Sequence, residues 1–303
     1  MKSIIQKITF FLLLTTPIAY CFGWWDSGHR SVAEVAYMEL TPEAKESVDE
    51  IVKIFGQLHS DYVTFADLAT WPDHLQDEER AFLYSDLHYV TLPYDPEKIL
   101  SEESKKDLRA FAMSKGALLS LAQAKAVLKS QESSMLSKCW ALSYLAHIIA
   151  DLHQPMHCCT RFSSDLPEGD RGGNFYSVVA PKEIHASNLH QLWDSGVGLM
   201  PVLTGDKSQD AKKVTSFVAE LVRELPKEKL SASAILDPIQ WCVESHEIAK
   251  GHAYTLALNK RPSKTYVKDS QMIVKERIAL AGYRLSLALN EIFAREEEIA
   301  VAK

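Results

Sequence analysis

The chain has 303 residues, of which 47% are hydrophobic and 24% are charged, and its formal net charge is −7. This length suits one large domain or two small ones, and because no Pro/Gly-rich linker or low-complexity tract divides it, we expect one domain. The negative charge and the lack of a basic stripe argue against a protein that wraps a long polyanion.

The first 23 residues are predicted to form a secretory signal peptide. Two lysines in MKSIIQK precede the apolar run ITFFLLLTTPIAY, and the short stretch CFG follows it. We expect cleavage after Gly23, which leaves a domain over 24–303 that begins with Trp24; an uncleaved anchor is the alternative. Cleavage leaves 31 basic and 40 acidic residues, a net charge of −9. This predicts a secreted or periplasmic protein whose mature form has no membrane span.

Helical patterns dominate the rest of the chain. SGHRSVAEVAYMEL follows the plausible cap Ser27, and TPEAKESVDEIVKIF opens with Thr41 as cap and Pro42 at the first helical position. Further amphipathic runs occur at 105–130, 134–153, 208–225, 238–258 and 267–295. The run 134–153 is apolar almost all round, which indicates a central buried helix that ends before Pro155.

Strand patterns are weak. LHYVTLP at 87–93 suits an extended segment, and GGNFYSVVA at 172–180 suits one arm of a small β-hairpin. The loop 160–187 is long and rich in Gly, Ser, Asp and Pro, and long loops in compact domains are often functional. We therefore predict an all-α fold with at most a small β-hairpin.

One spacing of histidine and aspartate occurs twice. His147 and Asp151 lie four residues apart, as do His190 and Asp194, so each pair shares one face of a helix, and His157 follows just after the helix break. Imidazole nitrogen and carboxylate oxygen suit a divalent ion such as zinc. A hydrogen-bonded helix pair is the alternative for each. The metal site is favoured because an unpaired carboxylate at Asp151, in an apolar helix, is costly to bury.

Six motifs, in matching order and spacing, resemble those of the zinc-dependent S1/P1 nucleases, whose scaffold is similar to that of bacterial zinc phospholipase C. The resemblance runs from Trp24 to about Ile292, and its motifs are WWDSGH, TWPDHL, DLHYV, AHIIADLHQPMH, GGN and NLHQLWD. The resemblance implies a cluster of three Zn²⁺ ions. By resemblance, the first ion is held by Asp73, His88 and His147, the second by the amino group and carbonyl of Trp24 with His29, and the third by His157, His190 and Asp194. Asp151 would bridge the first two ions, and Asp73 and Asp151 are the expected catalytic carboxylates.

The activity implied by the resemblance is hydrolysis of phosphodiester bonds in single-stranded DNA and RNA. The 3′-oxygen departs and the product keeps a 5′-phosphate, and 3′-nucleotidase activity is expected as well. Tyr89 would stack on a base and Asn174 would contact it; the alternatives are an ordinary core aromatic and a simple turn. We expect a monomer without a stable protein partner.

The chain also departs from the family pattern. Thr91 stands where the family carries a base-contacting aspartate, and Gln76 stands where a basic residue is expected, with Arg80 as a possible substitute. Base preference and transition-state stabilisation therefore stay open. A zinc phospholipase C and a non-catalytic exported zinc-binding protein remain as alternative functions.

The remaining histidines and four of the tryptophans are expected to be structural, whereas the sequence leaves the role of the cysteines open. His153 lies off the face shared by His147 and Asp151, so we expect a supporting role rather than a metal ligand. Four tryptophans are predicted to lie in the core: Trp71, Trp140, Trp193 and Trp241. Export permits disulfides, but the sequence does not choose between the three complete pairings of Cys139, Cys158, Cys159 and Cys242.

Overall fold

The computed structural model describes residues 24–75 and 85–294. The predicted signal peptide, Gln76 and Arg80 lie outside these residues. The helices are α1 (Asp26–Met38), α2 (Pro42–Leu58), α3 (Phe65–Leu68), α4 (Trp71–His74), α5 (Glu102–Met113), α6 (Gly116–Lys129), α7 (Met135–Asp151), α8 (Leu189–Asp194), α9 (Lys207–Glu224), α10 (Pro238–Gly251) and α11 (Lys264–Phe293). Short 3₁₀ turns occur at Ser85–Leu87, Pro155–Cys158, Lys227–Lys229, Ser231–Ala234 and Ala253–Thr255.

The helix α7 lies at the centre of the molecule. Its N-cap Ser134 accepts a hydrogen bond from the backbone of Ser137, and every residue from Ala141 to Asp151 is buried. It packs against α1, α2, α6 and α11. This burial confirms the prediction of a central helix, because a helix covered on all sides must be apolar around its whole circumference. Since its last turn is buried as well, Asp151 lies away from solvent.

The segment 152–161, which follows α7 and which we call the strap, carries the next metal-ligand candidate, His157. Pro155 opens a 3₁₀ turn over Pro155–Cys158, and Gln154 caps this turn with its side chain. The backbone of Thr160 then donates to Leu92, so Pro93–Tyr94 and Thr160–Arg161 form a parallel pair of strands, β1 and β2. The chain therefore turns back beneath the end of α7 and brings His157 towards Asp151.

The fold confirms the prediction of a mainly helical domain, but the predicted hairpin at 172–180 is wrong. This segment divides its backbone hydrogen bonds between two separate partners: Val178 donates to Ser187, and Val179 donates to Lys260. Ser177 and Asn188 form one isolated antiparallel bridge, but the pairing does not continue along the segment, so the two strands of a hairpin do not form. In the described segments, every helix is too short or too polar to cross a membrane.

Candidate metal centre

Three groups of buried side chains converge beside the C-terminal end of α7. Within each group the candidate ligand atoms lie within 4.8 Å of one another. The groups are His29, Asp73 and His147; His88, His147 and Asp151; and His157, His190 and Asp194. The structure therefore brings together every side chain that the family resemblance selects as a ligand, from segments far apart in the chain.

Asp151 lies between these groups. Its Oδ2 is 3.2 Å from His88 Nδ1 and 3.3 Å from His147 Nε2. Its Oδ1 is 3.5 Å from His29 Nε2 and 3.7 Å from His157 Nδ1. The two oxygens of one carboxylate thus face different imidazoles, as a bridging ligand requires.

Backbone carbonyls orient three of the imidazoles. The Nδ1 atoms of His147, His157 and His190 each donate to a carbonyl oxygen 2.8 Å away. The acceptors belong to Ala69, His88 and Gly172, respectively. Because Nδ1 carries the proton, Nε2 of each ring keeps its lone pair for a metal.

Gly172 explains why the GGN motif accompanies this centre. Its φ is +64°, and a Cβ at this position would lie 2.5 Å from the carbonyl oxygen of Met156. It would also come within 3.3 Å of His190 Nδ1. A glycine therefore lets the loop pass close enough to the strap for its carbonyl to hold the His190 ring.

Trp24 is anchored beside the same helix. Its side chain is fully buried and its Nε1 donates to the carbonyl of Ala150 over 3.1 Å, while the next backbone amide, that of Trp25, donates to Asp194. A Cβ on Gly28 would lie 2.5 Å from Cβ of Trp24, so WWDSGH needs glycine there for close packing. The start of the described chain therefore lies against two of the ligand segments.

Gln154 supports the third group and was not identified from the sequence. It is fully buried, its Nε2 donates to Asp194 Oδ1 over 2.5 Å, and its Oε1 accepts from the backbone of Met156. The remaining oxygen of Asp194, Oδ2, is 3.5 Å from His190 Nε2. Gln154 thereby leaves one oxygen of Asp194 facing the imidazoles.

Burial and the mutual proximity of these groups shift their pKa values. Burial opposes ionisation of Asp151, but the imidazoles of His147 and His157 outweigh it and hold the pKa of this carboxyl well below its usual range. Burial, followed by the charge of His147, lowers the pKa of His29 to about 3. His29 is therefore a neutral imidazole near pH 7, the form that binds a metal.

Several ligand atoms have unused bonding capacity. Both ring nitrogens of His29, Oδ1 of Asp73 and Oδ1 of Asp151 are buried and find no hydrogen-bond partner among the described residues. Two ligands on a tetrahedral zinc at its usual bond lengths lie about 3.4 Å apart. His147 Nε2 and Asp73 Oδ1 are 3.4 Å apart. The distance is 3.5 Å between His29 Nε2 and Asp151 Oδ1, and also between His190 Nε2 and Asp194 Oδ2. The donor set and its spacing therefore fit zinc.

Comparison with known proteins supplies the family. A family model described as S1/P1 Nuclease matches residues 24–294. The chain belongs to the S1/P1 nuclease family. It is 26% identical to Endonuclease 4 of Arabidopsis thaliana, with 99% of both chains covered. It is 26% identical to Nuclease S1 of Aspergillus oryzae, covering 89% of this chain and 92% of that one, and 25% identical to Nuclease P1 of Penicillium citrinum, covering 90% and 99%.

Membership of the S1/P1 nuclease family confirms the predicted fold type and the prediction of a nuclease. It favours a nuclease over the zinc phospholipase C alternative. It also favours an enzyme over a zinc-binding protein without catalysis, because the S1/P1 nucleases are enzymes.

The two residues predicted to contact substrate lie near the centre in different settings. Tyr89 follows the candidate ligand His88, is partly exposed, and its hydroxyl donates to Asp86 over 2.5 Å. Asn174 is nearly buried, and its Nδ2 donates to the carbonyl of Arg171 over 2.9 Å. A Tyr89 ring with an exposed part is available for stacking, whereas the amide of Asn174 helps to hold its own loop. Thr91, at the site of the family's aspartate, is partly buried.

His153 belongs to a separate cluster, which we call the arginine network: His153, Glu244, Arg277 and Arg284. Its Nδ1 donates to Ile149, and its Nε2 accepts from Arg284 Nη1 over 2.7 Å. Glu244 accepts from both arginines at 2.8 Å. Both nitrogens of His153 are thus used, which agrees with the expected supporting role.

Other structural expectations were met in part. Trp71, Trp193 and Trp241 are buried, but Trp140 is 39% exposed, so its assignment to the core is wrong. Trp140 instead packs edge-on against Trp71, with ring centroids 4.6 Å apart. All four described cysteines are buried free thiols.

Proposed function

We propose that this chain is a zinc-dependent nuclease that hydrolyses phosphodiester bonds of single-stranded DNA and RNA and leaves 5′-phosphorylated products. The observation that carries the proposal is the joining of three buried donor groups through Asp151, with unpaired ligand atoms facing one another. The names of the relatives, Nuclease S1, Nuclease P1 and Endonuclease 4, support the class of reaction. We further propose 3′-nucleotidase activity and a monomeric enzyme.

We assign the ligands of three zinc ions as the family resemblance implies. Asp73, His88 and His147 hold the first ion, and Asp151 joins it to a second ion held by Trp24 and His29. The third ion is held by His157, His190 and Asp194. When bound, such ions act as Lewis acids and lower the pKa of water towards neutrality.

The residues of the chain position that chemistry. Asp151 and Asp73 each place a carboxylate oxygen within 3.8 Å of Nε2 of His29 and of His147, and the rings of these two histidines stack 3.8 Å apart. The carbonyls behind His147, His157 and His190 fix ring orientation, so the centre is preorganised before substrate arrives. The side chains of all the proposed ligands are buried, so bulk solvent does not compete for their donor atoms.

Recognition of the substrate is proposed to depend on stacking rather than on hydrogen bonds to base edges. Tyr89 provides the aromatic surface beside His88, and every base offers a π-face to it. Asn174 contributes a second contact from the neighbouring loop. A flexible single strand can bend a base towards these residues, which a stacked duplex does not allow without unpairing.

Processing before Trp24 is part of the proposal, because the amino group of Trp24 becomes a ligand only after residues 1–23 are removed. We therefore propose an exported enzyme that matures by cleavage after Gly23. N-terminal sequencing of the exported protein should give Trp24, and a chain retaining residue 23 should bind less zinc.

Nuclease assays with metal analysis test the function. Purified mature protein should degrade single-stranded DNA and RNA, lose activity to a chelator and regain it with zinc. Sequencing of the products should show 5′-phosphates. An active preparation that holds fewer than two zinc ions per chain would contradict the cluster assignment, and zinc-loaded protein inert towards both nucleic acids would contradict the activity.

A further inference from the structure

A second concave surface adjoins the metal centre. It is a cavity of about 490 Å³ that opens onto Asp73, one of the proposed zinc ligands. Its other walls are formed by the start of α1, including Trp25 and Asp26, and by the loop after α8, including Met200 and Val202. The volume lies within the range of about 300–1,000 Å³ that small-ligand sites occupy. None of these four residues has a role in the ligand assignment.

The lining suits a nucleobase. The indole of Trp25 and the side chains of Met200 and Val202 form an apolar wall, and Val202 is 72% exposed beside a charged centre. On the polar rim, Asp26 Oδ1 lies 3.3 Å from His74 Nε2, and both side chains are part-exposed. A nucleobase has the complementary character, since its flat faces are apolar and its edges carry donors and acceptors.

The position of the cavity relative to Tyr89 indicates which nucleotide of the substrate it would bind. Asp73 directs Oδ1 towards His88, at 3.6 Å, and Oδ2 towards His29, at 3.8 Å. Tyr89 adjoins His88, whereas Trp25 and Asp26 lie just before His29 on α1. Asp73 belongs both to the centre and to the cavity wall, whereas Tyr89 is not among the residues that line the cavity. The cavity and the Tyr89 surface are therefore separate, and a strand with its phosphate at the centre extends towards both.

We propose that this cavity binds the nucleotide downstream of the scissile bond, the one that keeps the 5′-phosphate, with its base against Trp25. The inference rests on the proposed function, in which the upstream nucleotide stacks on Tyr89. It adds a second base contact to the substrate site and predicts that substrates with a downstream nucleotide use Trp25, whereas 3′-mononucleotides do not.

Two substrates separate the cavity from the metal centre. A dinucleoside monophosphate places a nucleotide in the cavity, whereas a 3′-mononucleotide carries only the upstream nucleoside and its phosphate. Trp25→Ala should lower kcat/KM for the dinucleotide about tenfold relative to the 3′-mononucleotide, the lower end of what one base stack contributes. Trp25→Phe should restore most of the ratio, because it keeps an aromatic face.

A second variant and a control make the test independent of Trp25. Val202→Ser removes apolar contact without approaching a proposed ligand and should lower the same ratio about threefold. Val63→Asp alters a 59% exposed valine that lines a different cavity and should leave the ratio at its wild-type value.

Titration calorimetry with a non-hydrolysable dinucleoside methylphosphonate gives a readout without turnover. Trp25→Ala should weaken its binding by a factor similar to the change in the ratio. Equal losses on both substrates, or an unchanged ratio in both Trp25→Ala and Val202→Ser, would overturn the cavity assignment. A wild-type enzyme that cleaves neither substrate would instead contradict the proposed function.

Discussion

The metal centre and the arginine network are two buried polar clusters served by one short stretch of chain, His147 to His157. In the network every charged group has a partner: Glu244 lies 2.8 Å from Arg277 and from Arg284, and both nitrogens of His153 are hydrogen-bonded. The metal centre contains carboxylates and imidazoles, and atoms of His29, Asp73 and Asp151 lack hydrogen-bond partners among the described residues.

The contrast shows that burial and residue type do not identify a metal site by themselves. Both clusters bury histidine with acidic residues, and both shift pKa values: burial, followed by Arg277 and Arg284, keeps the pKa of His153 well below its usual range. The clusters differ in how many of their buried donor and acceptor atoms have no hydrogen-bond partner. The charged groups of the network bond to one another, whereas the centre leaves buried donor atoms that can bind a cation.

The largest expected effect separates the two clusters by activity. Asp151→Asn removes the bridging charge, and we expect nuclease activity to fall by more than the roughly 100-fold that changes to outer partners of metal ligands cost. Zinc per chain should fall in parallel, measured by mass spectrometry of the metal. Glu244→Gln is the matched control, because it makes the same carboxylate-to-amide change in the arginine network. Wild-type turnover in Asp151→Asn would refute the bridging role.

The next effect is a loss of stability, and it concerns the arginine network rather than the metal centre. Glu244→Ala leaves Arg277 and Arg284 without their acceptor, and we expect the free energy of unfolding to fall by about 3 kcal/mol. Urea unfolding of the zinc-saturated protein measures this, and zinc content per folded molecule should not change. Glu224→Ala breaks an exposed pair with Lys275 and should leave the free energy of unfolding close to the wild-type value. Loss of zinc in Glu244→Ala would show that the clusters are coupled.

The elements that the sequence predicts are those set by local spacing. The His-x-x-x-Asp pairs lie on α7 and α8 as expected, because a helix of apolar period places them on one face. What the residues alone did not show depends on distant contacts. The carbonyl of Ala69 holds His147 from 78 residues away, and β1 pairs with a strand 67 residues further on. Spacing within one segment carries no record of such partners, which is why the hairpin was wrong.

A substitution of Gln154 tests one contact that the sequence did not reveal, the hydrogen bond from Gln154 to Asp194. Gln154→Leu removes the hydrogen bond that holds Asp194 Oδ1, and we expect the affinity of the third zinc site to fall about 10- to 100-fold. Competition with a chromogenic chelator gives this affinity. Gln191→Leu makes the same change on α8, at an amide that bonds to Ser187 instead, and should retain the wild-type affinity. Equal affinities in both variants would mean that Asp194 needs no support from Gln154.

The smallest expected effect tests a buried imidazole outside both clusters. His246 Nδ1 bonds to the carbonyl of Cys158 over 3.1 Å, and burial, followed by the charge of Lys250, lowers its pKa from 6.5 to about 4. As pH falls from 6.5 to about 4, the unfolded chain takes up a proton that the folded chain refuses, so stability is lost in this window.

Between pH 7 and pH 5.5, this proton should cost the wild type about 1 kcal/mol more than it costs His246→Gln. Urea unfolding of both proteins in chelator removes the contribution of zinc, and His59→Gln controls for loss of a histidine at an exposed position. Parallel pH dependence in wild type and His246→Gln would mean that His246 accepts its proton without unfolding. Local rearrangement would then relieve the free-energy cost of burying a charged group. The buried, unpaired atoms of His29 and Asp151 would in that case be weaker evidence for a metal site.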